Sequence, residues 1–455
     1  MLSCLAELPF EPHPYQINTA ARVVNDMNCR ALIADEVGLG KTVEAGLVIR
    51  EIYTRNNQCK ILILTPASLV QQWWCELMEK FGLNFNVCRK AAWGWDYPLT
   101  IGSLDKAKRG EHKEALLTRE YDLIIIDEAH KLKNRKTENW KFVASLRTQG
   151  LLLLTATPMQ NQVEEVFNLV SLIKPETFND YTTFLQHHQL NPKALISDLK
   201  DKLSDVMIRN LTRDHSAKSV TRQVQLVQVD MWSEEIEIYQ DIENLGKGLL
   251  TLALKKEFCS SMPALYTTLQ KKGHEGLCQK LESVRWSKKI GYLDEIIKRH
   301  PGKIIIFTEY LYTQYYIAQH LNQENITFLL FNGKLRRNQK DYIRYLFQNQ
   351  DYRILICTDS GSQGLNLQFS DVIVNYDLPW NPMKVEQRIG RIDRIGQASA
   401  DVHIYNFVLR DTIEERIFQI LGEKISLFKE CIGDLDSILV DEETTAKLEQ
   451  SLFKL

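Results

Sequence analysis

Several absences narrow the field before any motif is considered. The 455-residue sequence has nine cysteines but no Cys-x-x-Cys pair. That removes the usual spacing of a structural zinc site, argues against a disulfide framework and fits a reducing compartment. No apolar run reaches the roughly 18 residues that a membrane-spanning helix needs, so no membrane partner is expected. The first residues, Met1-Leu2-Ser3-Cys4-Leu5, lead into an acidic Glu7 and lack the basic stretch of a secretory leader. Positive charge is not in excess either. The formal net charge is −2, so any grip on a phosphate backbone must come from a local groove and not from the average field. Low-complexity segments and short-period repeats are also missing.

What is present is an ordinary soluble composition, 44% hydrophobic and 25% charged, in a chain too long for one compact core and sufficient for two large domains. Short, near-continuous apolar runs recur in the first half at Ala31–Ala34, Ile61–Thr65, Leu99–Ile101, Leu123–Ile126 and Leu151–Thr155. Such runs are expected of parallel strands buried on both faces. Between them, Val43–Tyr53 and Leu69–Lys80 read as helices, and the alternation predicts a doubly wound α/β domain. From about Trp232 to Val284 the strand signal disappears and a helical spacer is expected. Strand runs resume at Ile304–Thr308, Phe328–Phe331, Ile354–Thr358, Val372–Tyr376 and His403–Phe407. The expected division is a first lobe over 1–230, a spacer over 231–285, a second lobe over 286–425 and a helical tail over 426–455.

Ala31-Leu-Ile-Ala-Asp-Glu-Val-Gly-Leu-Gly-Lys-Thr42 is a strand entering a glycine-bearing turn and then a helix. A phosphate cradle needs inward-pointing backbone N–H groups, which the stretch Asp35, Glu36, Val37, Gly38, Leu39 and Gly40 can supply at a helix N-terminus. Lys41 brings a point charge for the β- and γ-phosphates, and the Thr42 hydroxyl is a hard oxygen for magnesium. The strict P-loop pattern would have glycine at Asp35. Leu123-Ile-Ile-Ile-Asp-Glu-Ala-His130 strengthens the reading, because a buried strand ends there in two carboxylates. Successive side chains of an extended segment diverge, so Asp127 can hold the metal while Glu128 orients and deprotonates the attacking water. ATP and Mg2+ are the expected ligands.

Together, Asp35-Glu-Val-Gly-Leu-Gly-Lys-Thr42, Asp127-Glu-Ala-His130, Thr155-Ala-Thr-Pro158 and Gln387-Arg-Ile-Gly-Arg-Ile-Asp-Arg-Ile-Gly-Gln397 resemble the superfamily-two helicase motifs of the Swi/Snf ATPases. Asp35 is usual in that family. Asp377-Leu-Pro-Trp-Asn-Pro382 and Arg394-Ile-Gly-Gln397 set it apart from the DEAD-box RNA helicases. Finer details look most like the bacterial RNA-polymerase-associated branch, which implies a bacterial cytoplasm, or the nucleus for a eukaryotic member. The resemblance implies two RecA-like lobes flanking an ATP cleft. It implies that Gln16 reads adenine, that Gly364, Asn366 and Gln387 lie at the nucleotide, and that Arg391 and Arg394 are arginine fingers.

For the nucleic-acid track, the resemblance points to Thr65, Ser68, Gln72 and Ser103 in the first lobe, and to Thr308, Gly333, Thr358, Ser360 and Trp380 in the second. Hydroxyls and backbone N–H groups grip phosphate with little sequence information. Trp73-Trp74 and Trp93-Gly-Trp95 read more simply as packing aromatics, and His187-His188 as a solvated pair. The implied activity is ATP-driven translocation on double-stranded DNA without strand separation. A strand-separating DNA or RNA helicase and an ATP-gated scaffold for a protein partner are the alternatives. Oligomeric state is not legible in the sequence.

Overall fold

The computed structural model describes residues 2–89, 91–177, 182, 186, 192–215, 220–282, 284, 286–359, 367–394, 397–434 and 437–440, with the backbone alone for 192–195 and 337. Two compact units result, residues 1–215 with 427–434, and residues 216–426 with 435–455.

The first unit holds β1 (Arg30–Ile33), β2 (Ile61–Thr65), β3 (Asn86–Val87), β4 (Leu99–Ser103), β5 (Glu120–Asp127), β6 (Arg147–Leu154) and β7 (Met207–Ile208). They form one sheet in the order β3-β4-β2-β5-β6-β1-β7, parallel throughout. Every residue of β2 is buried, as expected for a strand covered on both faces. Helices α1 (Pro14–Asn25), α2 (Lys41–Arg55) and α3 (Val70–Phe81) pack on this sheet. The register levels the carboxyl ends of the central strands. Ile33 and Asp127 both pair with Leu154, Leu64 pairs with Ile126, and Thr65 pairs with Ser103. Side chains far apart in sequence therefore emerge along one edge.

The second unit holds β8 (Thr221–Val229), β9 (Ile304–Thr308), β10 (Phe328–Phe331), β11 (Ile354–Thr358), β12 (Val372–Asn375) and β13 (Asp401–Leu409). Their order is β10-β11-β9-β12-β13-β8, again parallel. Strand β8 differs from the sequence expectation, which carried the first lobe to residue 230. It is the edge strand of the second sheet, paired along its length with β13. Its mixed burial explains why no apolar run announces it. The expected spacer is four helices, α4 (Ser233–Asn244), α5 (Leu249–Ser260), α6 (Met262–Lys272) and α7 (Glu275–Glu282). Its core includes Ile238, Phe258 and Leu265 together with Val229 and Leu409 at the ends of β8 and β13. The spacer thus belongs to the second unit.

Helices α8 (Lys288–Arg299), α9 (Pro382–Ile389) and α10 (Ile413–Cys431) complete the elements used below. Lys289 of α8 and Glu414 of α10 form a buried ion pair at 2.7 Å, with 1% and 3% of their side chains exposed. Burial outweighs the pull of Lys289 and raises the Glu414 carboxyl from 4.5 to about 7. Between these values the folded protein keeps a proton that the unfolded chain has released. Its contribution to stability is therefore complete below 4.5 and lost as pH rises through 7. Urea unfolding should show the second unit more stable near pH 5.5 than near pH 8, by on the order of 2 kcal/mol from this group. Glu414→Gln should flatten that slope, and an unchanged slope would assign it elsewhere.

Candidate active site

The loop after β1 is shaped by its own backbone and by the segment following β7. Gly38 and Gly40 have φ of 98° and 85°, the left-handed region in which glycine is unstrained. A Cβ on Gly40 would also lie 2.8 Å from Gln16 Nε2. Gly40 is the N-cap of α2, so the helix N-terminus opens directly behind the loop, as an anion cradle requires. Lys41 Nζ donates to the carbonyl oxygens of Asp35 and Glu36 at 2.8 and 2.9 Å. Burial lowers its ammonium, against the pull of Asp35, Glu128, Glu44 and Asp127.

Asp35 and Glu36 are buried, and their carboxylates turn away from the cradle. Asp35 accepts from the Asn210 backbone N–H at 2.9 Å and from Asn210 Nδ2 at 2.8 Å. Glu36 accepts from the Thr212 N–H at 2.8 Å. Their side chains shape the loop. Asn210 carries no sequence signal for this role, since its partner lies 175 positions away.

Gln16, expected to read adenine, is buried in α1. Its Oε1 accepts from the His13 N–H at 3.0 Å, and its Nε2 donates to the Leu39 carbonyl at 2.9 Å. Tyr15 donates to the same carbonyl at 2.6 Å. In this structure Gln16 is a strut between α1 and the loop.

The acid pair stands two strands from the loop, across β6. Asp127 Oδ1 accepts from the Glu128 N–H at 2.8 Å. Its Oδ2 accepts from Trp73 Nε1 at 2.8 Å and from Thr65 Oγ1 at 3.2 Å. Burial, followed by the Glu128 charge, raises the Asp127 carboxyl to about 6. Glu128 has φ of 51°, a conformation that costs a non-glycine residue on the order of 1 kcal/mol and clusters at functional sites. Its carboxylate meets His130 Nδ1 at 3.1 Å with a third of the side chain exposed. Asp127 and Glu128 are both partly exposed and differ in their partners: Asp127 takes three hydrogen-bond donors, whereas Glu128 meets His130. Trp73 serves this site, so the packing role read from the sequence is incomplete; Trp95 is buried core and Trp93 is exposed.

Ser68 and Gln72 are exposed and Ser103 is partly so, all near the carboxyl ends of β2 and β4. Thr65 and Thr308 do not face solvent, contrary to their expected place against a track. Both are fully buried. Thr65 donates to Asp127 and Thr308 donates to Asp377. Each ends a buried strand beside a neighbour that leads into an aspartate, so the nearest acceptor lies inside the unit. Thr358 is also buried, whereas Gly333 is exposed. Trp380 is partly buried, with Lys256 Nζ 5.7 Å from its ring centre. Ser360, Gly364, Asn366 and His187-His188 lie outside the described residues.

In the second unit, two buried arginines frame the segment around the expected fingers. Arg388 Nε donates to Asp359 at 2.7 Å, and its Nη1 donates to Asn375 Oδ1 and the Asp377 carbonyl at 3.0 and 2.8 Å. Arg222 of β8 forks onto Glu386 at 2.8 and 3.0 Å and reaches Asp393 at 2.6 Å. Between these anchors Gln387 is partly exposed, Arg391 is 8% exposed, and Arg394 Nε donates to the Gly390 carbonyl at 2.5 Å. Gln397 donates to the Ser370 and Ile392 carbonyls, both at 3.0 Å, and closes the motif structurally.

Residues 15–281 match the SNF2-related domain and residues 288–396 match the helicase conserved C-terminal domain. The chain is 43% identical over 454 residues to YqhH of Bacillus subtilis strain 168, described as an uncharacterized ATP-dependent helicase, covering 94% of this chain and 81% of that protein. A Sulfolobus solfataricus SWI2/SNF2 ATPase core solved with dsDNA is 24% identical, covers 97% of each chain and gives a TM-score of 0.46. With a nucleotide loop and acid pair on one sheet edge, both domain matches in order, and such identity across nearly the whole length, the protein belongs to the SNF2 family of ATP-dependent helicases.

Proposed function

We propose that this protein is a duplex-DNA translocase that hydrolyses ATP to move along its track without separating the strands. The observation that carries the reading is the common edge of the first sheet. The nucleotide loop and acid pair rise from β1 and β5, while Ser103 ends β4 and Ser68 and Gln72 lie in the connection after β2 and the first turn of α3. A ligand held at one half of such an edge is sensed at the other through the strands between them.

In this reading the backbone N–H groups of residues 38–42 cradle the phosphates and Lys41 exchanges its two carbonyl partners for phosphate oxygens. Glu128 accepts the proton of the water that attacks the γ-phosphorus, and ADP leaves with the β-phosphate oxygen. Arg391 and Arg394 supply positive charge to the transferring group. Magnesium fits the residues present. Asp127 is a partly buried carboxylate with no cationic hydrogen-bond partner, and with the Thr42 hydroxyl it offers the hard oxygens that ion takes. When bound, the ion would neutralise charge shared by the β- and γ-phosphates. Asp35-Glu-Val-Gly38 and Gln387-Arg-Ile-Gly-Arg391 favour the polymerase-associated branch within the family, for which a DNA-bound protein complex is the fitting cargo.

Steady-state hydrolysis measured without nucleic acid and with single-stranded DNA, duplex DNA or RNA tests the proposal. Duplex should stimulate most, and less as salt rises, because phosphate contacts release counterions. Equal rates in all four conditions would overturn the translocase in favour of a partner-gated switch. ATP-dependent strand displacement would instead mark a strand-separating helicase.

A further inference from the structure

Trp73 lies on α3 directly after the exposed Gln72 and is itself 2% exposed. Its indole N–H donates to Asp127 Oδ2 at 2.8 Å, 54 positions away. Thr65, at the start of the same connection between β2 and α3, donates to the same oxygen. The other oxygen is held by the Glu128 N–H. Two of the three donors that orient this carboxylate therefore come from the segment carrying Ser68 and Gln72.

The far end of α3 is also tied to the nucleotide site. Gly46, on the helix that begins at Lys41, gives the Phe81 ring its seat, and a Cβ there would lie 2.3 Å from that ring. Helix α3 is thus fastened to α2 by close packing and to Asp127 by a hydrogen bond. An indole is rigid, and its N–H···O bond weakens steeply with misalignment. A shift of α3 by an ångström must either break this bond or turn the carboxylate with it.

We propose that Trp73 is a positioning residue that holds Asp127 in its metal-binding orientation and transmits the state of the Ser68–Gln72 segment to the nucleotide site. This rests on the reading of the site as one for magnesium and ATP coupled to a duplex track. Partners that orient a metal ligand typically change metal affinity by 10- to 100-fold when lost, so the effect is measurable without turnover.

The test uses the full chain with a non-hydrolysable ATP analogue and Mn2+ as a paramagnetic probe. Trp73→Phe keeps an aromatic ring in the core and removes the donor, together with part of the buried indole volume. Its Mn2+ dissociation constant should rise about tenfold, and its stimulation by duplex at saturating metal should fall towards the basal rate. Trp74→Phe, on the neighbouring, partly buried ring, should leave both unchanged. Thermal melting is followed alongside. Should Trp73→Phe melt early, Thr65→Val removes the second donor to the same oxygen with a side chain of the same shape, and should weaken Mn2+ binding likewise. Wild-type Mn2+ affinity in a folded Trp73→Phe or Thr65→Val protein overturns the positioning role. Full duplex stimulation in Trp73→Phe overturns the transmission. A wild-type protein that duplex does not stimulate overturns the track reading, while the Mn2+ measurement still decides the role of Trp73.

Discussion

Glu128→Gln is expected to lower ATP turnover by roughly a thousandfold or more while leaving ATP binding close to wild type. The argument is geometric and electrostatic. Glu128 is a third exposed, follows the fully placed Asp127, and is held at φ of 51°. That backbone conformation turns its side chain away from the line of β5. Gln preserves size, and its amide can still orient a water, but it cannot accept the proton that the attacking water must lose. Binding rests on the loop backbone and Lys41, which the substitution does not touch. The variant should therefore accumulate in the ATP-bound state. Single-turnover hydrolysis and equilibrium binding of ATP, measured on the same preparation, separate the two effects. Parallel loss of binding and turnover would show Glu128 holding the nucleotide and would remove it as the base.

Arg391→Ala should reduce turnover by roughly a thousandfold, within the range usual for a lost arginine finger, and with little change in KM. Arg391 sits in a short segment fixed on both sides, by Arg388 before it and by Asp393, bound to Arg222, after it. Those anchors remain when Arg391 is truncated, so the second unit should still fold, and its melting is followed to separate lost packing of this buried side chain from lost chemistry. A transition-state contact lowers kcat and kcat/KM together, whereas a ground-state contact raises KM. The full set of kinetic constants thus distinguishes a finger from a binding residue. An Arg391→Ala protein with wild-type kcat would remove it from the reaction. Arg394→Ala tests the same idea with the added loss of the contact to the Gly390 carbonyl.

Both predictions begin from residues visible in the sequence, and their visibility has a physical cause. A phosphate cradle is made of consecutive backbone N–H groups, so its chemistry is confined to one short stretch, Asp35 to Thr42. A carboxylate pair at the tip of a buried strand likewise appears as an apolar run ending in Asp127-Glu128. Buried parallel strands announce themselves through uninterrupted apolar character, which is why β2, β9 and β11 coincide with their expected runs.

The parts that could not be read are those made by partners distant in the chain. Sequence alone determined the P-loop, the acid pair, the doubly wound class and the order of the two lobes, because each rests on local periodicity or on adjacent residues. Tertiary structure decided that β8 joins the second sheet, since an edge strand with one polar face is placed by the strand it pairs with, here β13. It also decided that Thr65 and Thr308 face inward, that Asn210 locks Asp35, and that Trp73 holds Asp127. A buried hydrogen bond forms with whichever acceptor packing brings within about 3 Å, and that acceptor is set by the crossing of helices and strands, not by proximity along the chain.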